Sequence, residues 1–202
     1  MTLKGGTIMT TYNIYVVLTR TNTMISRLIQ GIKHDQYTHA SISLDKELRH
    51  MYSFGRKYTY NPFIGRFRKE DINEGVFKLC DTLPGAIVEL EVSQQQYERT
   101  KAILDIFITN TYLYKYNYMG LIHSFLNKPA LSENRFLCSE FVYHILAESN
   151  ILDLNISRNL VRPQNFLYVG GKVIYEGDLK VLELSEKNIH KNTVRPVQLS
   201  TQ

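Results

Sequence analysis

Short runs of apolar and polar residues predict the strands that begin this chain. Tyr12–Thr19 (YNIYVVLT) is rich in β-branched and aromatic residues and predicts a strand. Thr38–Leu44 (THASISL) alternates, which places His39 on one face with two serines and the aliphatic residues on the other. Met51–Phe54 follows a charged turn at Asp45–Glu47 and is the expected hairpin partner. The pattern predicts a small antiparallel sheet.

Later segments predict a mixture of strands and helices. Gly55–Lys69 predicts a long basic loop, since it contains Pro62, two glycines and five basic residues. The remaining predictions are strands at Gly75–Cys80 and Ala86–Val92, a helix capped by Ser93 and running from Tyr97 to Thr109, a helix from Tyr118, a turn at Pro163, and a hairpin joining Tyr168–Val169 to Lys172–Tyr175. A further short helix, capped by Asn22 or Thr23, carries Met24 to Ile32. The fold class expected from these elements is α+β.

The segment Asn134–Asn150 (NRFLCSEFVYHILAESN) predicts an amphipathic helix that begins near Cys138. Val142, Ile145 and Leu146 recur at helical spacing from Cys138, so the cysteine opens the buried stripe. A thiol in the first helical turn lies among unpaired N–H groups, which stabilise a thiolate and can receive an oxyanion. The alternative is that Cys138 is a small buried core residue.

One of the six histidines has the pattern expected of a partner for that cysteine. His39 lies on the serine face of an alternating strand, and a neutral imidazole beside a thiol can accept its proton. His144 is six residues beyond Cys138, on the opposite side of the helix, and is expected at the surface. No histidine has the spacing of a zinc motif, so no metal and no cofactor are expected.

Composition narrows the classes of protein without selecting one. The chain has 202 residues, 44% of them hydrophobic, which suffices for one globular domain over residues 12–184 between flexible ends at 1–11 and 185–202. The net charge of +5 fits an acidic substrate, but no arginine-rich run with exposed aromatics indicates nucleic acid. Two cysteines give no disulfide framework. Without a signal-like or membrane-spanning stretch, the expected location is the cytoplasm.

The order of these motifs resembles a known family. A strand with T-H-A-S-I, a strand ending F-G-R, then Y-N-Y-M-G, F-L-C-S-E-F-V-Y and the proline-led turn at Arg162-Pro163 resemble the circularly permuted NlpC-type papain-like proteins. The YiiX-like proteins and, more distantly, the lecithin:retinol acyltransferase group belong there. The resemblance spans about Tyr12 to Tyr168, and it implies a papain-like fold with the cysteine helix packed on the sheet.

The resemblance also implies roles for individual residues. Cys138 corresponds to the nucleophile and His39 to the general base. Members usually carry a third polar residue on the strand after the histidine, for which Ser53 is the candidate and His50 the fallback. The Tyr-Asp-Tyr pattern expected before the cysteine helix is Tyr116-Asn117-Tyr118 here, so its carboxylate is missing. Tyr118 is a candidate for the cleft wall.

Three functional hypotheses follow. The first is a cysteine-dependent hydrolase or acyltransferase, an amidase, thiol protease or acyl-ester hydrolase, acting on a peptidoglycan-type peptide or a lipid through an acyl-enzyme. The basic loop, beginning at Arg56, indicates an acidic substrate. The second is a binding module of the same fold without turnover. The third is an interaction protein in which Cys138 and His39 lie far apart. The oligomeric state stays open.

Overall fold

A computed structural model describes residues 11–21, 31, 35–56, 65–130 and 132–182 of the chain. The fold is α+β, with a six-stranded antiparallel sheet and several helices. The sheet consists of β1 (Tyr12–Thr19), β2 (His39–Ser43), β3 (Met51–Arg56), β4 (Gly65–Glu70), β5 (Pro84–Val92) and β8 (Lys172–Asp178), in the spatial order β4-β3-β2-β1-β5-β8. The predicted ends at 1–11 and 185–202, apart from Thr11, and the predicted helix at Met24–Ile32, apart from Gly31, lie outside the described part.

The central strands agree with the sequence predictions. β1 has the predicted bounds and pairs on one side with β2, where Thr19 lies opposite His39, and on the other with β5. β2 continues into β3 through the predicted hairpin, with Ser43 opposite Met51. The predicted alternation of β2 is confirmed, because Ala40 and Ile42 join one hydrophobic cluster while Ser41 faces the other side.

The predicted basic loop is wrong over its second half. Residues 65–70 form β4, which pairs with β3 so that Glu70 lies opposite Met51 and Arg66 opposite Gly55. Only Phe67 in GRFRKE is apolar, since β4 is an edge strand whose outer side meets solvent. Residues 57–64 lie outside the described part of the chain.

One face of the sheet carries the main core. Two helices pack on it, α2 (Gln94–Thr109) and α4 (Cys138–Glu148), and a third helix, α3 (Tyr118–Phe125), lies between them in sequence. α2 begins at Ser93, whose hydroxyl accepts the N–H of Gln96 while the Gln96 side chain accepts the N–H of Ser93. The core contains a dense group of aromatic side chains, namely Phe54, Phe67, Phe107, Phe136 and Phe141.

The opposite face carries a smaller cluster, built around Val17, Met51 and Ile87. One helical turn, α1 (Gly75–Lys78), covers part of it with Phe77, so the strand predicted at Gly75–Cys80 is wrong. Gly75 has a φ of 57°, a left-handed conformation that ends the preceding turn. The predicted hairpin at Tyr168 is also wrong, because Pro163–Tyr168 is a 3₁₀ helix and β8 pairs with β5 instead.

A two-stranded parallel sheet joins the region before α3 to the region before α4. Its strands are β6 (Lys115–Tyr116) and β7 (Arg135–Phe136). This pairing brings the start of α3 beside the start of α4, which fixes one side of the site described below. In the described ranges, every helix is too short or too polar to cross a lipid bilayer.

Candidate active site

Cys138 is the first residue of α4, at the positive end of the helix dipole. The helix begins here because Leu137 has an extended backbone and its carbonyl accepts the N–H of Phe141 at 3.0 Å. The predicted buried stripe is confirmed, since Val142, Ile145 and Leu146 are fully buried. The N–H groups of a first helical turn have no partner within the helix, so those at Cys138 are available to an oxyanion.

His39 is the first residue of β2, and it lines the same cleft as Cys138, whose sulfur is near enough to raise the pKa of the imidazole. The other contact of the ring is made by Nε2, which lies 2.9 Å from Oε2 of Glu70. Because Nε2 contacts Glu70, Nδ1 is the ring nitrogen that remains for proton transfer. The edge of the Phe77 ring packs against the imidazole, with the ring centres 5.9 Å apart. The side chain of His39 is only 16% exposed.

Glu70 is the residue that holds the imidazole, and it comes from the last position of β4. Its Oε2 also accepts a hydrogen bond from the Ser41 hydroxyl at 2.6 Å. The carboxylate crosses β3 above Gly55, where a Cβ atom would lie 2.8 Å from Oε1. Gly55 therefore leaves the space that lets Glu70 reach the histidine strand.

The charges of this group stabilise each other. Burial alone would lower the pKa of His39, but the Glu70 carboxylate and the Cys138 sulfur outweigh it and raise the pKa to about 10. Burial alone would raise the pKa of Glu70, but the charge and hydrogen bond of His39, with the Ser41 hydroxyl, lower it below its ordinary value. At neutral pH the imidazole is therefore protonated and the carboxylate ionised.

The structure corrects the expected contact between Ser53 and His39. Ser53 is fully buried on β3, and its hydroxyl donates to the carbonyl oxygen of Ala40 at 2.6 Å. It therefore supports the backbone beside His39, while Glu70 supplies the ring contact. The sequence signal for Glu70 was weak, because β4 carries a single apolar residue and resembles a loop. The fallback, His50, contacts Asp45 instead.

A second carboxylate, that of Glu140, fixes the start of the cysteine helix. It accepts the N–H of Leu137 at 2.6 Å and two contacts from the Asn117 amide at 3.1 Å. Burial raises the pKa of Glu140, against these hydrogen bonds. Asn117 occupies the position of the missing carboxylate in Tyr116-Asn117-Tyr118, and its amide complements the charge of Glu140. The sequence reasoning noted Asn117 and missed its partner.

Cys138 and His39 face a cleft of about 130 Å³ whose walls are mostly apolar. Further lining residues come from α1 and α3, namely Val76, Phe77, Tyr118, Leu121 and Phe125. Tyr118 lies in the cleft wall, as predicted, and its hydroxyl accepts the N–H of Gly65 at 2.7 Å. The other predicted binding residue, Arg56, ends β3, and its side chain lies outside the described part of the structure.

An ion pair that the sequence did not reveal forms part of the cleft wall. Arg162 donates from Nη1 to Oδ1 of the buried Asp35 at 2.7 Å, and both residues line the cleft. Arg162 directly precedes the predicted proline-led turn, which is a recognisable signal for its position but not for its partner. Among residues that the structure describes, no cluster of three or more His, Cys, Asp or Glu side chains could hold a metal ion.

His144 is not the surface residue that its spacing predicted. It packs against the rings of Phe107 and Phe136, and burial lowers its pKa, as does the nearby charge of Arg158. It takes no part in the group formed by Cys138 and His39.

Comparison of the chain with protein-family models, with curated proteins and with solved structures gave no match in any of the three. The geometry of the site is therefore the basis for assigning a function. A sulfur at a helix N-terminus, an imidazole in the same cleft and a carboxylate hydrogen-bonded to that imidazole can together carry out nucleophilic attack and proton transfer.

Proposed function

We propose that the protein is a cysteine-dependent hydrolase or acyltransferase that cleaves an amide or ester through an acyl-enzyme on Cys138. The observation that carries the proposal is the placement of Cys138 and His39 at the wall of one cleft, with the Glu70 carboxylate hydrogen-bonded to the imidazole. A nucleophile, a base within hydrogen-bond reach and a third group that orients the base are the features of covalent catalysis.

The first half of the reaction transfers the acyl group to sulfur. An imidazolium beside Cys138 favours the negatively charged, nucleophilic sulfur, which attacks the carbonyl carbon of the substrate. A carbon–sulfur bond forms, and the carbonyl oxygen takes negative charge beside the N–H groups that begin α4. The intermediate then collapses, the bond to the leaving nitrogen or oxygen breaks, and His39 gives that atom its proton.

The second half releases the product. His39 is now neutral and accepts a proton from water, or from the hydroxyl or amine of a second substrate, as that group attacks the thioester. The carbon–sulfur bond breaks, the acyl product leaves, and the sulfur and imidazolium are restored. Glu70 keeps the ring oriented throughout and stabilises its positive charge.

We assign the fold to the permuted papain-like class on the same grounds. The histidine strand precedes the cysteine helix in the chain, and the helix packs on an antiparallel sheet with its N-terminus toward His39. The order of motifs supports this assignment as a proposal, and catalysis does not depend on it.

The cleft favours a substrate with an apolar acyl part. The cleft wall contains aromatic and aliphatic side chains such as Phe77, Leu121 and Phe125, together with charged side chains, namely Arg68, Glu70, Asp71, Glu74 and the Arg162–Asp35 pair. A lipid ester or amide fits this arrangement better than a wholly polar peptide. Glu70 supplies the contact to the His39 ring that Ser53 does not, which favours an enzyme over a binding module of the same fold.

The proposal is tested by trapping the acyl-enzyme. The protein is incubated with p-nitrophenyl esters of increasing chain length, and the adduct is located by peptide mass spectrometry. We expect acylation at Cys138 in the wild type, its absence in Cys138→Ala, and an unchanged rate in Cys80→Ala. Acylation of both cysteines at similar rates, or of neither, would refute the proposal.

A further inference from the structure

α3 exposes a row of large apolar side chains on the side that faces away from the protein. Met119, Ile122 and Leu126 are 61%, 50% and 59% exposed, and their spacing of three and four residues places them on one side. The helix Tyr118–Phe125 (YMGLIHSF) contains no Asp, Glu, Lys or Arg. A surface helix ordinarily has a polar outer face, so this apolar row is unusual for a helix in water.

The charged residues that flank the row in the sequence are all basic. From Ile106 to Ser132 the sequence contains no acidic residue, and exposed lysines flank the helix at Lys115 and Lys128. Lys115 also shares a surface groove with Arg66 and Lys69 of β4. Basic residues therefore flank the apolar row in the sequence, and Glu133 is the first acidic residue after it.

We propose that this face of α3, defined by Met119, Ile122, Leu126, Lys115 and Lys128, docks on an anionic lipid bilayer. An apolar helical face bordered by basic residues lies in the plane of the membrane interface, with its apolar side chains between the lipid chains. The lysines meet the negative headgroups, whose attraction falls off within a Debye length. The proposed partner is thus a lipid surface. The apolar row fits the layer of lipid chains, and the lysines fit the layer of anionic headgroups.

The neighbouring face of the same helix lines the cleft. Tyr118, Leu121 and Phe125 form part of its wall, together with Cys138. A lipid leaving the bilayer beside α3 would meet apolar side chains along its path to the sulfur. This path narrows the proposed substrate to a lipid acyl ester or amide, an inference that rests on the proposed function. The docking itself requires no catalysis.

The docking is tested by flotation of the full chain with vesicles of phosphatidylcholine alone, and with vesicles containing one part of phosphatidylglycerol to two of phosphatidylcholine. We expect binding to the anionic vesicles, weakened by salt. In Met119→Ser/Ile122→Ser/Leu126→Ser we expect the affinity to fall at least about ten-fold. In Lys115→Gln/Lys128→Gln we expect the preference for anionic vesicles and the salt dependence to diminish.

A matched control replaces three apolar residues that are exposed on other elements. Ile106→Ser/Val173→Ser/Val181→Ser removes side chains that are 52%, 41% and 58% exposed and should bind vesicles as the wild type does. Circular dichroism melting of each variant shows that the fold is retained, since all these positions are exposed. Equal loss in both triple variants would overturn the proposal.

Light scattering separates the lipid surface from a second copy of the chain. If the wild type is a dimer that the α3 variant dissociates, and neither binds vesicles, the row is a protein interface and the proposal is wrong. Cys138→Ser should bind vesicles normally, so a failed docking experiment and a failed catalytic experiment are distinguishable. Absence of wild-type binding to anionic vesicles would also overturn the docking.

Discussion

Oε2 of Glu70 takes part in two hydrogen bonds, and both partners lie on the strand that carries His39. Replacing Glu70 by Gln keeps the shape of the side chain and removes its charge. We therefore expect the pKa of His39 to fall from about 10 toward its ordinary value of 6.5. The measurement is an NMR titration of the His39 ring in the wild type and in Glu70→Gln.

Ser53→Ala is the control for that titration, because it removes a hydroxyl that bonds to the backbone at Ala40 and not to the ring. We expect the pKa of His39 to remain raised in Ser53→Ala, with a loss of stability of about 1–3 kcal/mol from the unpaired carbonyl. If the pKa of His39 changed in Ser53→Ala and stayed the same in Glu70→Gln, the assignment of Glu70 as the group that holds the imidazole would be contradicted.

Gly55→Ala tests the same contact without changing the chemistry of the residues that form it. A Cβ atom at residue 55 would lie 2.8 Å from Oε1 of Glu70, so Gly55→Ala must displace the carboxylate. The displaced atom ends a flexible side chain, and we expect a stability cost of only about 1 kcal/mol. The rate of Cys138 alkylation at neutral pH should fall about ten-fold or more, measured beside urea unfolding. An unchanged rate would show that Glu70 adapts freely.

Individual residues were predictable where a periodic pattern carried them. Cys138 and His39 lie on regular elements whose spacing fixes their direction, and both were predicted from that spacing. Glu70 was not predicted. Its contact with His39 requires the carboxylate to cross β3 above Gly55, and no local sequence pattern indicates this crossing. The Arg162–Asp35 pair also joins distant segments, so only the fold brings the two side chains together.

At the scale of elements, the pair Asn117 and Glu140 joins the start of α3 to the start of α4. Asn117 caps α3 through Oδ1, which accepts the N–H of Gly120 at 2.9 Å, while its Nδ2 faces Glu140. Asn117→Asp keeps the cap and puts a second carboxylate against Glu140. We expect about 2–4 kcal/mol of lost stability at neutral pH, measured by urea unfolding.

The loss in Asn117→Asp should be smaller at about pH 5, because two adjacent carboxyls can share one proton. Asn117→Ala provides the comparison, since it removes the amide without adding charge; its loss at neutral pH and its recovery at about pH 5 should both be smaller. If Asn117→Asp were as stable as the wild type at neutral pH, Glu140 would not be the charged partner that the geometry indicates.

The predictions of helices and strands were right where the sequence pattern was long and wrong where it was short. The eight residues of β1 and the capped helix α2 have the expected type and position. Gly75–Lys78 forms a helical turn, since the left-handed Gly75 and the burial of Phe77 decide its conformation. Residues 65–70 form a strand because β3 offers a pairing edge, which a charged sequence does not reveal.

At the scale of the whole molecule, the His39–Glu70 pair makes stability depend on pH. The pKa of His39 is raised, so its contribution is complete below about pH 6.5 and is lost as pH rises toward 10. The pKa of Glu70 is lowered, so its contribution is present above about pH 4.5 and is lost as pH falls. The pair therefore stabilises the fold most between these two values.

His39→Ala isolates that contribution. We expect the difference in unfolding free energy between the wild type and His39→Ala to be largest near about pH 6 and to narrow steadily toward pH 10. Urea unfolding at several pH values measures it. A difference that stays constant across this range would mean that the imidazole is not held as a cation in the folded protein.

The whole fold also explains why the site lies where it does. The sheet separates two hydrophobic clusters, and His39, the first residue of the interior strand β2, lines the cleft with residues of α1, α3 and α4. The overall class and the central strands followed from sequence patterns. The meeting of α1, α3 and α4 around one cleft did not, because it depends on contacts between segments far apart in the chain.

The central claim is that Cys138 and His39 form a working pair, and the pH dependence of iodoacetamide labelling tests it most directly. Cys80 is partly exposed and serves as the internal reference in every sample. We predict that Cys138 labels rapidly well below the ordinary thiol pKa of about 8.5, and that this advantage over Cys80 disappears in His39→Ala. The account would be contradicted if Cys138 were labelled at the same rate as Cys80 at every pH, or if its labelling rate were unchanged in His39→Ala.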